Sequence, residues 1–294
     1  AKRGIPAVVV LNKTDEQHVA PEKLAMWQEQ LGEMILQVSA KTKQGIEELK
    51  KRLIKHAPED WEGAPLIGDL LTGGDLAVLV VPIDTAAPKG RLILPQVQTI
   101  RDILDHDAAC IVVKERELKE TLDNLRNPPK IVVTDSQEFL KVAADTPEDV
   151  QLTSFSILMA RHRGDLVTLA AGAKAIDSLQ AGDKVLIAEG CTHHRQADDI
   201  GKVKIPRWLR HAVGGDLDFE WVSGGTFPAD ITKYKLIVHC GACMLNRREM
   251  LYRLAVAREQ GIPIVNYGVL IAQVHGILHR ALEPFPLAQL ELEK

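Results

Sequence analysis

The chain has 294 residues, of which 46% are hydrophobic and 26% charged, and its formal net charge is −4 at pH 7. This composition is that of an ordinary globular protein, long enough for two or three domains with their own cores. The slightly acidic balance argues against nucleic-acid binding, which needs a basic face, and no apolar run approaches the roughly 18 residues of a membrane-spanning helix. Four cysteines and the lack of a secretory segment favour a reducing, cytoplasmic location.

The first unit, up to residue 56, is predicted to form alternating strands and helices. Its predicted elements are a strand at residues 7–11, a helix at 21–31, a strand at 34–38 and a helix at 45–56. Pro21 suits the first turn of a helix, and Gly32 is typical of a helix end. A core strand this close to the start of a chain is unusual, so we expect the front of this domain to be missing.

Two polar motifs follow the two strands of this unit, Asn12-Lys13-Thr14-Asp15 and Ser39-Ala40-Lys41. The pair resembles the guanine-binding motifs of small GTPases, and the alternative is an ordinary solvated turn. The resemblance implies that Asp15 accepts hydrogen bonds from guanine, Lys13 lies along the base and Asn12 ties the two loops together. It also implies that the backbone of Ser39, Ala40 and Lys41 meets the guanine carbonyl. The phosphate-binding GxxxxGK(S/T) loop is absent from the sequence, so these motifs alone should not hydrolyse GTP.

A Pro- and Gly-containing linker at residues 57–65 leads into a second α/β unit. Its predicted elements are strands at residues 76–81, 109–113 and 130–133, and helices at 96–104, 115–125 and 136–144. So small a sheet leaves edge strands that need cover, and we therefore expect dimerisation through an edge or face of this sheet. Cys110 lies in the middle of a predicted strand, and we expect it to be a buried core residue.

The third unit carries the other three cysteines, each just after a short apolar run. The run at residues 184–188 leads to Cys191, and the run at 234–238 leads to Cys240 and Cys243. Asn246 then opens a helix with a capping-box pattern. Because ligands collect beyond the carboxyl ends of parallel strands, we expect the three thiols to meet there.

Three thiolates suit soft metals, and this leaves three interpretations open. A structural zinc site would close with a fourth ligand, for which His193, His194 and His239 are candidates. An iron–sulfur cluster would keep one iron with a replaceable or non-cysteine ligand, and Glu189 is a further candidate for that position. The third interpretation is that no metal binds and that the cysteines are buried thiols or form a disulfide.

Three segments together resemble the GTPase of FeFe-hydrogenase maturation, HydF: the guanine-specificity segment, APKGRLILPQ at residues 87–96, and EGCTHH at 189–194 with HCGAC at 239–243. The resemblance implies an α/β protein with three units. These are a remnant of a P-loop GTPase domain at residues 1–58, a small α/β dimerisation domain at 66–150 and a Rossmann-like α/β cluster-binding domain at 151–294.

The resemblance also implies a function. Cys191, Cys240 and Cys243 would hold a 4Fe-4S cluster with an open fourth position. The protein would be a homodimeric scaffold that receives a two-iron precursor and transfers it to apo FeFe-hydrogenase, with two radical-SAM maturation enzymes as partners. GTP and Mg²⁺ would bind to the intact protein, and enzymatic activity of the present chain stays open. The competing functions are a zinc-stabilised regulatory GTPase and an iron–sulfur redox enzyme.

Overall fold

The computed structural model describes residues 7–56, 64–82, 91–191 and 198–294. The chain divides into two compact units, Ala1–Glu62 and Gly63–Lys294. None of the helices in the described ranges has the length and apolarity that crossing a membrane requires.

The first unit contains a two-stranded parallel sheet and two helices. The elements in chain order are β1 Val9–Leu11, α1 Pro21–Leu31, β2 Ile35–Gln37 and α2 Ile46–Lys55. Helix α1 has the predicted bounds, because Pro21 fits its first turn and Gly32 ends it with a left-handed backbone at φ 65°. The identity of this unit as a GTPase remnant stays a prediction.

The second unit begins with a four-stranded parallel sheet in the order β4-β3-β5-β6. Its strands are β3 Leu76–Val80, β4 Ala109–Val113, β5 Ile131–Thr134 and β6 Gln151–Ser154. Its helices are α3 Leu94–Asp105, α4 Leu118–Asn124 and α5 Phe139–Asp145. The central strands β3 and β5 are buried on both faces, as is usual in parallel sheets. Strand β4 is an edge, where Cys110 is only half-buried and Val112 is 43% exposed.

A second four-stranded parallel sheet follows in the order β10-β9-β7-β8. Its strands are β7 Lys184–Glu189, β8 Asp218–Ser223, β9 Leu236–His239 and β10 Ile264–Asn266. The helices that pack around it are α6 Phe155–Arg163, α7 Leu166–Ala171, α8 Ile205–Val213, α9 Arg247–Glu259, α10 Tyr267–Val274, α11 Leu278–Ala281 and α12 Pro286–Glu293. One apolar core joins this sheet to one face of the sheet β4-β3-β5-β6. Leu79 and Val133 belong to that sheet, and Ile187 and Val238 belong to β7 and β9.

The predicted α/β class with parallel sheets is confirmed by these two sheets. One strand of the sheet β4-β3-β5-β6 is missing from the sequence prediction. Strand β6 was not predicted, because its sequence Gln-Leu-Thr-Ser has no apolar run and its strand form comes from pairing with β5. In the second sheet's helical layer, α10 ends at Val274, and Gly276 with a left-handed backbone at φ 71° separates it from α11.

Candidate functional site

Two of the three site cysteines leave the sheet from neighbouring strands. Strand β7 ends at Glu189, two residues before Cys191, and β9 ends at His239, directly before Cys240. Ala188 on β7 is paired with His239 on β9, so the two chain segments emerge side by side at the carboxyl edge. None of the four cysteines of the chain, all of which are described, forms a disulfide.

The Cys240 sulfur accepts hydrogen bonds from two backbone N–H groups. The backbone N–H of Gly190 donates to it at 3.0 Å, and that of Ala242 at 3.4 Å. Burial raises the pKa of the Cys240 thiol to about 11, the two N–H groups act against that rise, and the charges of Cys243 and Cys191 add to it. A bound cation would stabilise this thiolate, whose own environment keeps it protonated.

Cys243 is the third cysteine of the predicted site. Burial raises its pKa, the nearby Cys191 raises it further, and the Arg163 guanidinium opposes the rise. Cys243 follows Cys240 by three residues, and Cys191 leaves the neighbouring strand β7. In the described part of the chain, however, no set of three or more His, Cys, Asp or Glu side chains is spaced to hold a metal ion as it stands. The three-cysteine site therefore stays a prediction.

Three features constrain the backbone of the loop between β9 and α9. Asn246 caps α9, since its Oδ1 accepts a hydrogen bond from the Glu249 N–H at 2.8 Å. Ala242, within the loop, has a left-handed backbone at φ 55°, a conformation unusual for a residue with a Cβ atom. The loop also lies against α6, because a Cβ atom at Gly241 would be 3.6 Å from Cβ of Met159. The two cysteines are therefore presented on a constrained backbone.

His239, one of the predicted candidates for the fourth ligand, is completely buried. Its Nδ1 lies 2.8 Å from the Cys240 carbonyl oxygen, and its Nε2 lies 3.0 Å from Nη1 of Arg253. Since a guanidinium can only donate, this pattern assigns the ring proton to Nδ1. Burial lowers the pKa of His239 to about 4, with the Cys240 carbonyl opposing and Arg253 adding to the shift. The neutral ring uses both nitrogens, so ligation of a metal would break one of these bonds.

Arg253 is a site residue that the sequence analysis missed. It is 0% exposed, and its three further contacts are a hydrogen bond to the Gly224 carbonyl at 2.8 Å, one to Glu249 at 3.3 Å, and the Phe227 ring 5.2 Å away. An arginine in a helix gives no sequence signal that it will be buried, because arginines are mostly exposed. Arg253 thus connects α9, through His239, to the backbone of Cys240.

Glu189, the other described candidate for the fourth position, is also buried. The Tyr267 hydroxyl lies 3.5 Å from its Oε1, and both groups crowd Gly201, where a Cβ atom would be 2.3 Å from the hydroxyl. Burial raises the pKa of Tyr267 well above its ordinary value, and the charges of Cys240 and Glu189 add to this. The structure therefore places Glu189 beside the cysteine site. The remaining candidates, His193 and His194, lie outside the described residues.

In the first unit, the two predicted nucleotide motifs meet at the carboxyl ends of β1 and β2. Asn12 Oδ1 accepts hydrogen bonds from the N–H groups of Lys13 at 2.8 Å and Ala40 at 3.1 Å. The Ser39 hydroxyl donates to Asp15 Oδ1 at 2.5 Å, and Lys41 is an exposed cation 4.0 Å from the same carboxylate. The structure therefore brings all six predicted residues into two joined loops, and their role in binding stays a prediction.

Comparison with solved structures gives only distant similarity. A shikimate 5-dehydrogenase from Mycobacterium fortuitum is 10% identical, with a TM-score of 0.31 over 76% of this chain and 97% of that one. The shikimate dehydrogenase of Mycobacterium tuberculosis is 12% identical, with a TM-score of 0.28 over 75% and 99%. An aspartate transcarbamoylase from Trypanosoma cruzi is 11% identical, with a TM-score of 0.26 over 84% and 89%. A search of curated protein sequences finds no significant match.

Comparison with protein families is decisive. Residues 66–164 match the hydrogen maturase F dimerization domain, and residues 167–284 match the hydrogen maturase F tetramerization domain. The two matches together span about three quarters of the chain and contain both cysteine segments. The chain therefore belongs to the hydrogen maturase F (HydF) family, with a role in hydrogenase maturation and domains for oligomerisation.

Proposed function

We propose that this chain is a scaffold that holds a 4Fe-4S cluster on Cys191, Cys240 and Cys243, receives a two-iron precursor and transfers it to apo FeFe-hydrogenase. The observation that carries the proposal is the parallel pairing of β7 with β9, which brings the two cysteine segments to one sheet edge, in a chain of the hydrogen maturase F family. A cluster held by three thiolates leaves one iron with an exchangeable ligand, which supplies an attachment point for the cargo.

The donor set fits such a cluster. Three cysteines follow the ends of two paired strands, and Cys240 already accepts hydrogen bonds from two backbone N–H groups, the type of contact that tunes a ligating sulfur. Burial keeps Cys240 protonated, so loading would release its proton. The backbone of Cys240 is held by His239, whose ring is in turn held by Arg253.

The geometry of His239 also bears on the zinc alternative. A structural zinc site is closed by four protein ligands. With both ring nitrogens hydrogen-bonded in a fully buried position, His239 is poorly placed to complete such a site. This favours a centre with three cysteines and an exchangeable fourth position over a zinc site closed by His239.

The proposal extends to the nucleotide and the assembly. In the intact family protein, GTP would bind with Mg²⁺, and the joined loops of Asn12–Asp15 and Ser39–Lys41 would recognise the base. The exposed strand β4 would form the homodimer contact in the middle domain. Two radical-SAM maturation enzymes would be the partners that deliver the precursor.

The first experiment is anaerobic reconstitution of the protein with iron and sulfide, followed by metal analysis and EPR of the reduced protein. Wild type should bind about four irons per chain. The variants Cys191→Ala, Cys240→Ala and Cys243→Ala should lose or weaken the EPR signal. Cys110→Ala is the matched control, because this thiol lies on the edge strand β4 of the other sheet and should leave the signal unchanged.

Stoichiometric zinc without sulfide, or an unchanged signal in the three site variants, would contradict the cluster. The transfer step needs a separate assay. Protein that carries the two-iron precursor should activate apo-hydrogenase, and the three variants should not. A loaded protein that turns over a small substrate and activates no hydrogenase would support the redox-enzyme alternative.

A further inference from the structure

The last turn of α6 carries three consecutive basic residues, and in the part of the chain that the structure describes only two of these side chains have polar partners. Arg161 forms a two-pronged ion pair with Asp69, with one N–O distance of 2.7 Å. The Nδ1 atom of His162 lies 2.6 Å from the Ala64 carbonyl oxygen. The side chain of Arg163 makes no hydrogen bond or ion pair within residues 7–56, 64–82, 91–191 and 198–294, and its Nε atom is buried.

An unpaired, partly buried guanidinium is an unusual group. Arginine cannot lose its proton in a protein, so burial of the Nε–H without an acceptor carries a desolvation cost. Buried donors are nearly always satisfied, and an exception calls for an explanation such as an absent ion. The planar fork of a guanidinium matches anions better than neutral acceptors. The side chain of Arg163 is therefore suited to an anion that the protein itself does not supply.

The position of Arg163 points to where that anion would bind. Met159 lies against Gly241 in the loop between Cys240 and Cys243, and Arg163 follows Met159 by four residues, on the same face of α6. The end of α6 is fixed there, because Arg247 donates to the Gly164 carbonyl at 2.6 Å. Arg163 therefore lies one helical turn beyond the residue of α6 that contacts the cysteine loop.

We propose that Arg163 is an anion-binding residue of the cysteine site, which selects small anionic ligands over neutral ones at the exchangeable iron. The inference rests on the proposed cluster and adds the chemical class of its exchangeable ligand. In this role Arg163 contacts the ligand and leaves cluster assembly to the three cysteines. An anionic group on the cargo would use the same contact.

The test uses reconstituted wild type and the variants Arg163→Gln and Arg163→Lys. Each is titrated with cyanide as the anion and with imidazole as the neutral ligand, and binding is followed by EPR of the reduced cluster. The control is Arg258→Gln, which removes the same charge from an exposed residue of α9. Arg258 lies about 16 Å further along this helix than Arg247, the residue that contacts the end of α6.

Arg163→Gln should weaken cyanide binding at least tenfold, which corresponds to about 1.4 kcal/mol, and should change imidazole binding less than twofold. Arg163→Lys, which keeps the charge, should retain more cyanide affinity than Arg163→Gln, and Arg258→Gln should equal wild type. If Arg163→Gln does not take up iron, Arg163→Lys decides: weaker cyanide binding with unchanged imidazole binding supports the proposal, and wild-type affinity for both contradicts it.

Unchanged cyanide affinity in Arg163→Gln, an equal loss for imidazole, or failure of both Arg163 variants to hold a cluster would overturn the inference. Wild-type protein that binds no iron would contradict the proposed function itself, and this inference with it. The iron content of wild type therefore separates the two failures.

Discussion

Replacement of Arg253 by leucine tests the buried network behind the cysteine loop. The guanidinium is 0% exposed and donates to His239 Nε2 at 3.0 Å, to the Gly224 carbonyl at 2.8 Å and to Glu249 at 3.3 Å. Leucine fills part of the same volume and donates to none of them. The change therefore removes the donors while it preserves an apolar packing surface.

The cost follows from the acceptors that lose their donor. His239 Nε2 and the Gly224 carbonyl lose the Arg253 donors, at about 1–3 kcal/mol each, or about 2–6 kcal/mol together. Removal of one partner from a buried charged network typically costs about 3–5 kcal/mol, in the same range. Relief from burying the guanidinium acts in the opposite direction. We expect the free energy of unfolding to fall by about 3 kcal/mol.

The assay is equilibrium urea unfolding of the metal-free protein, followed by tryptophan fluorescence. Hydrogen exchange of peptides that cover residues 236–246 should show faster exchange in the variant, since the loop loses its support. Arg258→Leu is the matched control, an exposed arginine on the same helix, and should change stability by less than about 0.5 kcal/mol. A loss below about 1 kcal/mol in Arg253→Leu, or an equal loss in the control, would refute the reasoning.

Three further predictions concern the other parts of the molecule. Asp15→Asn should shift nucleotide preference from guanine towards xanthine in a competition assay, because an amide donates where the carboxylate accepts; unchanged preference would refute the assigned role. Val112→Lys places a charge on the exposed edge strand and should dissociate the dimer in analytical ultracentrifugation, whereas Leu140→Lys, on an exposed helix position of the same domain, should not. The pKa of Glu220 is lowered to about 2, chiefly by its hydrogen bond from Lys233, so this pair stabilises the folded state above pH 4.5 and ceases to do so as the pH falls through 2. Lys233→Gln should therefore lower the melting temperature at pH 6, and a gap from wild type that persists at pH 2 would contradict this.

The elements predicted most accurately from the sequence were those with local signals at both ends. Helix α1 begins at Pro21 and ends before Gly32, and both residues act through their own backbone preferences. Strand β6 has no such signal and depends on its partner β5. Cys110 was predicted to be buried and is half-buried, because the edge position of β4 is a property of the sheet and not of the strand's sequence.

The candidate site also combines features with a local sequence signal and features that depend on the whole fold. The spacing of Cys191, Cys240 and Cys243 after apolar runs was visible in the sequence, and the parallel pairing of β7 and β9 brings these segments together. The roles of Arg253 and Arg163 were not visible, because burial of an arginine is decided by residues far away in the chain. His239 was predicted only as a possible ligand, since a sequence shows its neighbours and not its hydrogen bonds.

The burial of strands β7 and β9 affects how the protein behaves when its cysteine site is empty. Leu186, Ile187, Ile237 and Val238 are each 0% exposed, so the sheet beneath the cysteines is packed by side chains alone. Small zinc domains, by contrast, derive their folding free energy from the ion and unfold without it. We therefore expect this domain to keep its shape while empty, so that one polypeptide can be loaded, discharged and loaded again without refolding.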